Sequence, residues 1–164
     1  MNATRALALG VAILAVQAPL PTLTIEPPDG FYKSAAWDAK VQWYDSSIAN
    51  ATLRIYPFRA VTGDPVAAFQ QTLFLDWTPL DVPTMARLGQ PAFERATLAG
   101  ADTVVIARYA DSNARSHLRM AIVSSGGRAV AIVHLRAETA SGMQQVMPSF
   151  RKVLSTMKIS GPPR

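Results

Sequence analysis

The chain contains no cysteine. That excludes disulfide bridges, thiolate metal ligands and a lipid-anchored cysteine. Its two histidines, His117 and His134, stand among arginines, and such a neighbourhood repels a cation, so no metal site is expected. The net charge of +5 is scattered, without a lysine run or a basic stripe interleaved with aromatics, so no nucleic-acid partner is expected. The apolar run Ala6–Val16 is too short to span a bilayer. There is no G-x-S-x-G elbow, no evident pair of acid–base carboxylates and no glycine-rich loop opening a helix. The hydrolase, glycosidase and nucleotide-binding classes therefore lack their usual signatures, and no cofactor is implied. No internal repeat or second domain is visible.

What is present is a globular composition: 164 residues, 49% hydrophobic and 16% charged, enough for one core without staples. Residues 1–18 read as a secretory signal peptide, with Arg5, the apolar run and the small residues around Ala18. Pro19 after the cut opposes the peptidase, so cleavage falls elsewhere or the segment stays as a weak anchor, the sole membrane contact expected. The compartment implied is periplasmic or secreted. Residues 19–30, with Pro19, Pro21, Pro27 and Pro28, read as an extended linker. Residues 31–159 read as one domain and 160–164 as a loose tail.

The stretch 101–137 organises that domain. Three alternating strands are joined by turns around Ser112–Asn113 and Gly126–Gly127. The glycine pair sets a register in which Val123 faces Val130, Ala121 faces Ile132, Arg119 faces His134 and His117 faces Arg136. A two- or four-residue first turn then divides the meander. One face carries Val105, Ala107, Tyr109, Leu118, Met120, Ile122, Ala129, Ala131, Val133 and Leu135, and must be buried. The other carries Val104, Ile106, Ala121, Val123, Val130 and Ile132, then a polar end of Arg108, His117, Arg119, His134 and Arg136, with Arg95 on the same side.

Upstream, strands at 39–44 and 51–56 form a hairpin that stops at Pro57. Asp64 caps and Pro65 opens a helix whose stripe Val66, Phe69, Leu73 and Trp77 runs to Thr78–Pro79. Trp77 reads as a core anchor, a helical turn is expected at Thr84–Leu88, and another strand at 92–98. Thr139 or Ser141 starts a last helix with Met143, Val146, Met147, Phe150, Val153, Leu154 and Met157 on one stripe, kinked or broken before Pro148. The order β-β-α-β-β-β-β-α predicts an α+β fold, a mainly antiparallel sheet of about six strands with helices on its faces.

This order, with the Gly63-Asp64-Pro65 helix start, the meander and the closing Phe150-Arg151-Lys152-Val153-Leu154, resembles the α/β/α sandwich of PsbP-like photosystem proteins and exported DcrB-like lipoproteins. The resemblance implies a binding or accessory module and transfers no catalytic residue. The lipobox cysteine of the lipoproteins is missing.

The polar set Arg108, His117, Arg119, His134 and Arg136 is the candidate site. Guanidinium forks bind carboxylate or phosphate, and histidines tune such a site with pH. The competing reading is a polar sheet end paired with Glu94, Asp111 and Glu138. The function expected is an exported, non-catalytic binding or accessory protein whose partner is an envelope protein, an anionic small molecule or an envelope polymer. The alternative is a hydrolase using His117 or His134 as base.

Overall fold

The computed structural model describes residues 19–27, 29–35, 41–77 and 84–161, so the proposed signal segment and Trp37 lie outside the described residues. The fold is α+β. Strands β2 (Phe31–Lys33), β3 (Gln42–Ser46), β4 (Ala51–Ala60), β5 (Ala92–Ala96), β6 (Thr103–Ala110), β7 (Ser116–Ser124) and β8 (Ala129–Ala137) form one antiparallel sheet, ordered β2-β3-β4-β8-β7-β6-β5. Helices α1 (Pro65–Thr72) and α2 (Ala140–Thr156) pack on its two faces.

A second, two-stranded sheet pairs β1 (Thr22–Thr24) with β9 (Lys158–Ser160). The stretch expected to be a linker therefore carries a strand, because Leu23 finds a buried place beside Ile159. Strand β4 also runs past Pro57. Its register shifts between Tyr56 and Arg59, and the bulge accommodates a residue that has no N–H to give.

The β7–β8 register is the expected one, with Val123 opposite Val130, Ala121 opposite Ile132, Arg119 opposite His134 and His117 opposite Arg136. The β6–β7 register is not. Ala110 pairs with Ser116, leaving residues 111–115 as the loop, an odd number that flips β6 relative to β7. Arg108 stands opposite Leu118, while Tyr109 stands opposite His117 and Ala107 opposite Arg119. Val104 and Ile106 thus join Leu118, Met120, Ile122, Val133 and Leu135 under α2. Val105, Ala107 and Tyr109 join Ala121, Val123, Val130 and Ile132 under α1.

Both helices start as their sequences dictate. Asp64 accepts hydrogen bonds from the amides of Val66 and Ala67, with Pro65 at the first position, and Thr139 Oγ1 accepts from Gly142. Their continuations differ from expectation. α1 stops at Leu73 instead of running to Trp77, and a 3₁₀ turn follows at Leu75–Trp77. A second 3₁₀ turn spans Met85–Arg87, where a helical turn was expected. α2 continues through Pro148. That residue is exposed, as is Gln144, whose carbonyl would have received the missing N–H, so the break in the hydrogen-bond ladder falls on the outer face of the helix.

Candidate functional site

Alternation along β4, β7 and β8 sends Arg54, His117, Arg119, His134 and Arg136 to the α1 face, at the end of the sheet away from the helix's apolar stripe. Of the five expected site residues, the structure brings four onto one face: His117, Arg119, His134 and Arg136. Arg108 is the correction. It lies on the opposite face, because the 111–115 loop is odd, and donates to Glu94 Oε1 at 2.9 Å in a largely exposed ion pair.

The four do not form an open surface. Arg119 is fully buried, His117 and His134 nearly so, and only Arg136 reaches the rim. Arg136 faces His117 across the strands and forms an ion pair with Glu138 Oε1 at 3.2 Å.

Inside, the polar groups form a chain. His117 Nε2 lies 3.2 Å from Asp111 Oδ2, His117 Nδ1 lies 3.0 Å from His134 Nε2, and His134 Nδ1 faces Arg119 Nη2 at 3.5 Å. At the far end Arg119 Nη1 donates to the carbonyls of Leu73 at 2.9 Å and Phe74 at 3.3 Å. The chain ends on an acceptor and a donor, and that fixes the direction of every bond between them. The Asp111 carboxylate accepts, so His117 carries its proton on Nε2. His117 Nδ1 then accepts from His134 Nε2–H, which leaves His134 Nδ1 as the acceptor toward Arg119. Both imidazoles are neutral in this arrangement, each spending one proton and one lone pair. Tyr109 stacks on His117 with ring centroids 4.9 Å apart, and the two imidazoles stack at 5.2 Å.

Electrostatics agree with that assignment. Burial pushes His117 down, Asp111 opposes it, Arg115 and Arg119 reinforce it, and the balance leaves its pKa at about 4. His134 is held well below the ordinary imidazole value, first by burial and then by the charges of Arg119, His117, Arg54 and Arg136. Burial would raise Asp111, but hydrogen bonds from Arg115, His117 and the amides of Arg115 and Asn113 overcome it and hold the carboxyl at about 2. Arg115 Nε donates to Asp111 Oδ2 at 2.6 Å. Arg54, opposite His134, lies with its guanidinium 3.8 Å from the centroid of the Trp43 ring.

Sequence reasoning missed Tyr109, Arg54 and the Leu73 and Phe74 carbonyls. Arg54 was open to detection, since Thr52, Arg54 and Tyr56 alternate toward this face. Tyr109 was placed on the wrong face by the loop parity. The carbonyls carried no local signal, being supplied by a turn 46 and 45 residues before Arg119.

Chemically the chain is closed. No serine, threonine or cysteine stands in it as a nucleophile, and no group of three metal-ligating side chains occurs among the described residues. Open space lies elsewhere. A groove of about 690 Å³ is lined by Pro65, Ala68, Phe74, Trp77, Thr84 and Met85 among others. A second, of about 890 Å³, runs between Pro19–Pro21, the β7–β8 turn and Ile159. Ala60 and Val61 line both. In the first, Trp77 is half-buried. Its ring stacks on Phe74 at 4.4 Å, with the Arg59 guanidinium 5.3 Å from its centroid.

Neither a known protein family nor a curated protein matches the sequence. Among solved structures the chain is similar to LpqN of Mycobacterium tuberculosis, described as involved in cell envelope biogenesis. The identity is 17%, covering 90% of this chain and 87% of that one, with a TM-score of 0.57. The two chains share their fold. Cyanobacterial PsbP (CyanoP) from Synechocystis is also similar at 12% identity, over 92% of this chain and 98% of that one, with a TM-score of 0.48. No helix among the described residues is long and apolar enough to cross a membrane.

Proposed function

We propose that this PsbP-like chain is an exported accessory protein of the cell envelope that acts by binding a protein partner and performs no catalysis. One observation carries the reading. Among the described residues, Asp111, His117, His134 and Arg119 are sealed in the core and spent on their own hydrogen bonds, while Pro65, Phe74, Trp77 and Met85 give the first groove apolar walls. A hydrolase needs the reverse, a base with a free lone pair facing a nucleophile and solvent. The stated role of LpqN in envelope biogenesis and the apolar N-terminal segment support the compartment.

An anionic ligand is the less favoured version. Of the five expected site residues, the two near the surface, Arg108 and Arg136, are already engaged by Glu94 and Glu138, and a ligand has to displace a carboxylate to reach either. The test uses a photo-crosslinking amino acid at Leu75 in the first groove, at Ser125 in the second, and at exposed Glu94 as a control, in intact cells of the organism that makes the protein. A discrete protein adduct from a groove position and none from the control is the expected result. Ester or amide hydrolysis by the purified chain, lost on His117→Gln, overturns the binding reading in favour of the hydrolase.

A further inference from the structure

The closed chain has an unusual terminus. Leu73 and Phe74, whose carbonyls receive Arg119, are successive residues in the left-handed region, with φ of 53° and 48°. Bulky side chains rarely adopt that conformation, and two in a row store strain that the surroundings must hold. The turn so formed ends α1 and carries Phe74 and Trp77 into the wall of the first groove. The opposite wall, Thr84 and Met85, leads into Leu88, which bridges to Asp111, and Gly89 N–H donates to the Ala110 carbonyl at 2.9 Å. One end of the polar chain therefore holds one wall of the groove, and the other end sits beside the second.

The chain cannot accept a proton without breaking. A proton added at His134 Nδ1 points an N–H at Arg119. A proton added at His117 Nδ1 makes that atom a donor, forces His134 Nε2 to accept, and moves the His134 proton to Nδ1, where it again meets Arg119. Donor faces donor in either case, and a new cation stands against an existing one.

We propose that the Asp111–His117–His134–Arg119 chain is an acid-sensitive latch: when the histidine pair takes up a proton, Arg119 lets go of the Leu73–Phe74 turn and the Phe74–Trp77 wall of the groove is released. The groups facing the pair from every packed element favour release. His134 meets Arg119 and His117 from β7, Arg54 from β4 and Arg136 from its own strand. His117 meets Arg115 and Arg119 as like charges, against the single carboxylate of Asp111, with Tyr109 stacked on it from β6. Arg119 also faces Tyr109 and Tyr56, which favour its charged form against the larger effect of burial.

The test is amide hydrogen exchange on the full chain at pH 7.5, 6.0, 5.0, 4.0 and 3.5, normalised to the intrinsic exchange rate at each pH. The segment Leu73–Trp77 is expected to lose protection about tenfold or more toward pH 3.5 while α2 keeps its protection. The double variant His117→Gln/His134→Gln retains a donor and an acceptor at each position and takes no proton, so its turn is expected to show no such loss. If that variant fails to unfold cooperatively at pH 7.5, imidazole ¹⁵N shifts of the wild type decide. Both rings must be Nε2–H tautomers at pH 7.5, and their protonation must coincide with the loss of protection. Unchanged protection down to pH 3.5, an equal loss in α2, a response retained by the folded double variant, or the opposite tautomers each overturn the latch.

Discussion

Acidification is the perturbation that reads the buried histidines most directly. In the unfolded chain both titrate near the ordinary value of about 6.5. In the closed fold His117 is held at about 4 and His134 well below the ordinary value. Folded values below unfolded ones mean that the unfolded chain binds more protons. Stability is therefore complete above about pH 6.5 and is lost as the pH falls toward the folded values. At pH 5 His117 has forfeited about 2 kcal/mol, roughly 1.5 pH units below its unfolded value at about 1.4 kcal/mol per unit, and His134 adds to the loss in the same direction. Asp111, held at about 2, loses its contribution only below the ordinary carboxylate range and does not enter this window. Urea unfolding at constant ionic strength is the assay. With a slope of about 2 kcal/mol per molar, the midpoint should drop by about 1 M or more between pH 7.5 and 5. If the latch opens first, the drop flattens at the pH where the Leu73–Trp77 amides lose protection. A midpoint at pH 5 equal to or above that at pH 7.5 refutes the buried, neutral assignment.

Three substitutions or deletions follow from the same geometry. Arg119→Met leaves the Leu73 and Phe74 carbonyls and the His134 lone pair without their donor, and should cost about 3 kcal/mol or more by thermal or urea unfolding. Arg108→Ala removes only an exposed pair with Glu94, so it should change stability by less than about 1 kcal/mol and leave the pH dependence intact; a large effect would mean that Arg108 belongs to the buried cluster after all. Deleting residues 19–25 strips β1 from β9 and exposes the pocket of Leu23, and should lower stability by about 2 kcal/mol, a loss visible as a fall in Tm.

The candidate site was half legible because half of it depends on local register. The β7–β8 pairing follows from a glycine-containing turn, and it placed His117, Arg119, His134 and Arg136 on one face before any fold was known. Arg108 and Tyr109 were exchanged because their face depends on the parity of the loop before β7. That parity is set by Asp111, whose Oδ1 accepts the amides of Asn113 and Arg115 while Oδ2 binds Arg115 and buried His117. Sequence inspection saw a turn there without counting its residues correctly.

By itself the sequence determined the meander, the amphipathic stripe of α2, the capped starts of both helices and the α+β class, since each rests on periodicity or on residues a few positions apart. Tertiary structure decided where α1 ends, because its stop is held by an arginine 46 residues further on. It decided that β1 is a strand, because its partner lies at the other end of the chain. It also decided that the basic cluster is a sealed chain of hydrogen bonds and not an open anion site. Residue type shows what a side chain can donate or accept, but the burial that spends those bonds internally comes from elements far apart in sequence closing over them.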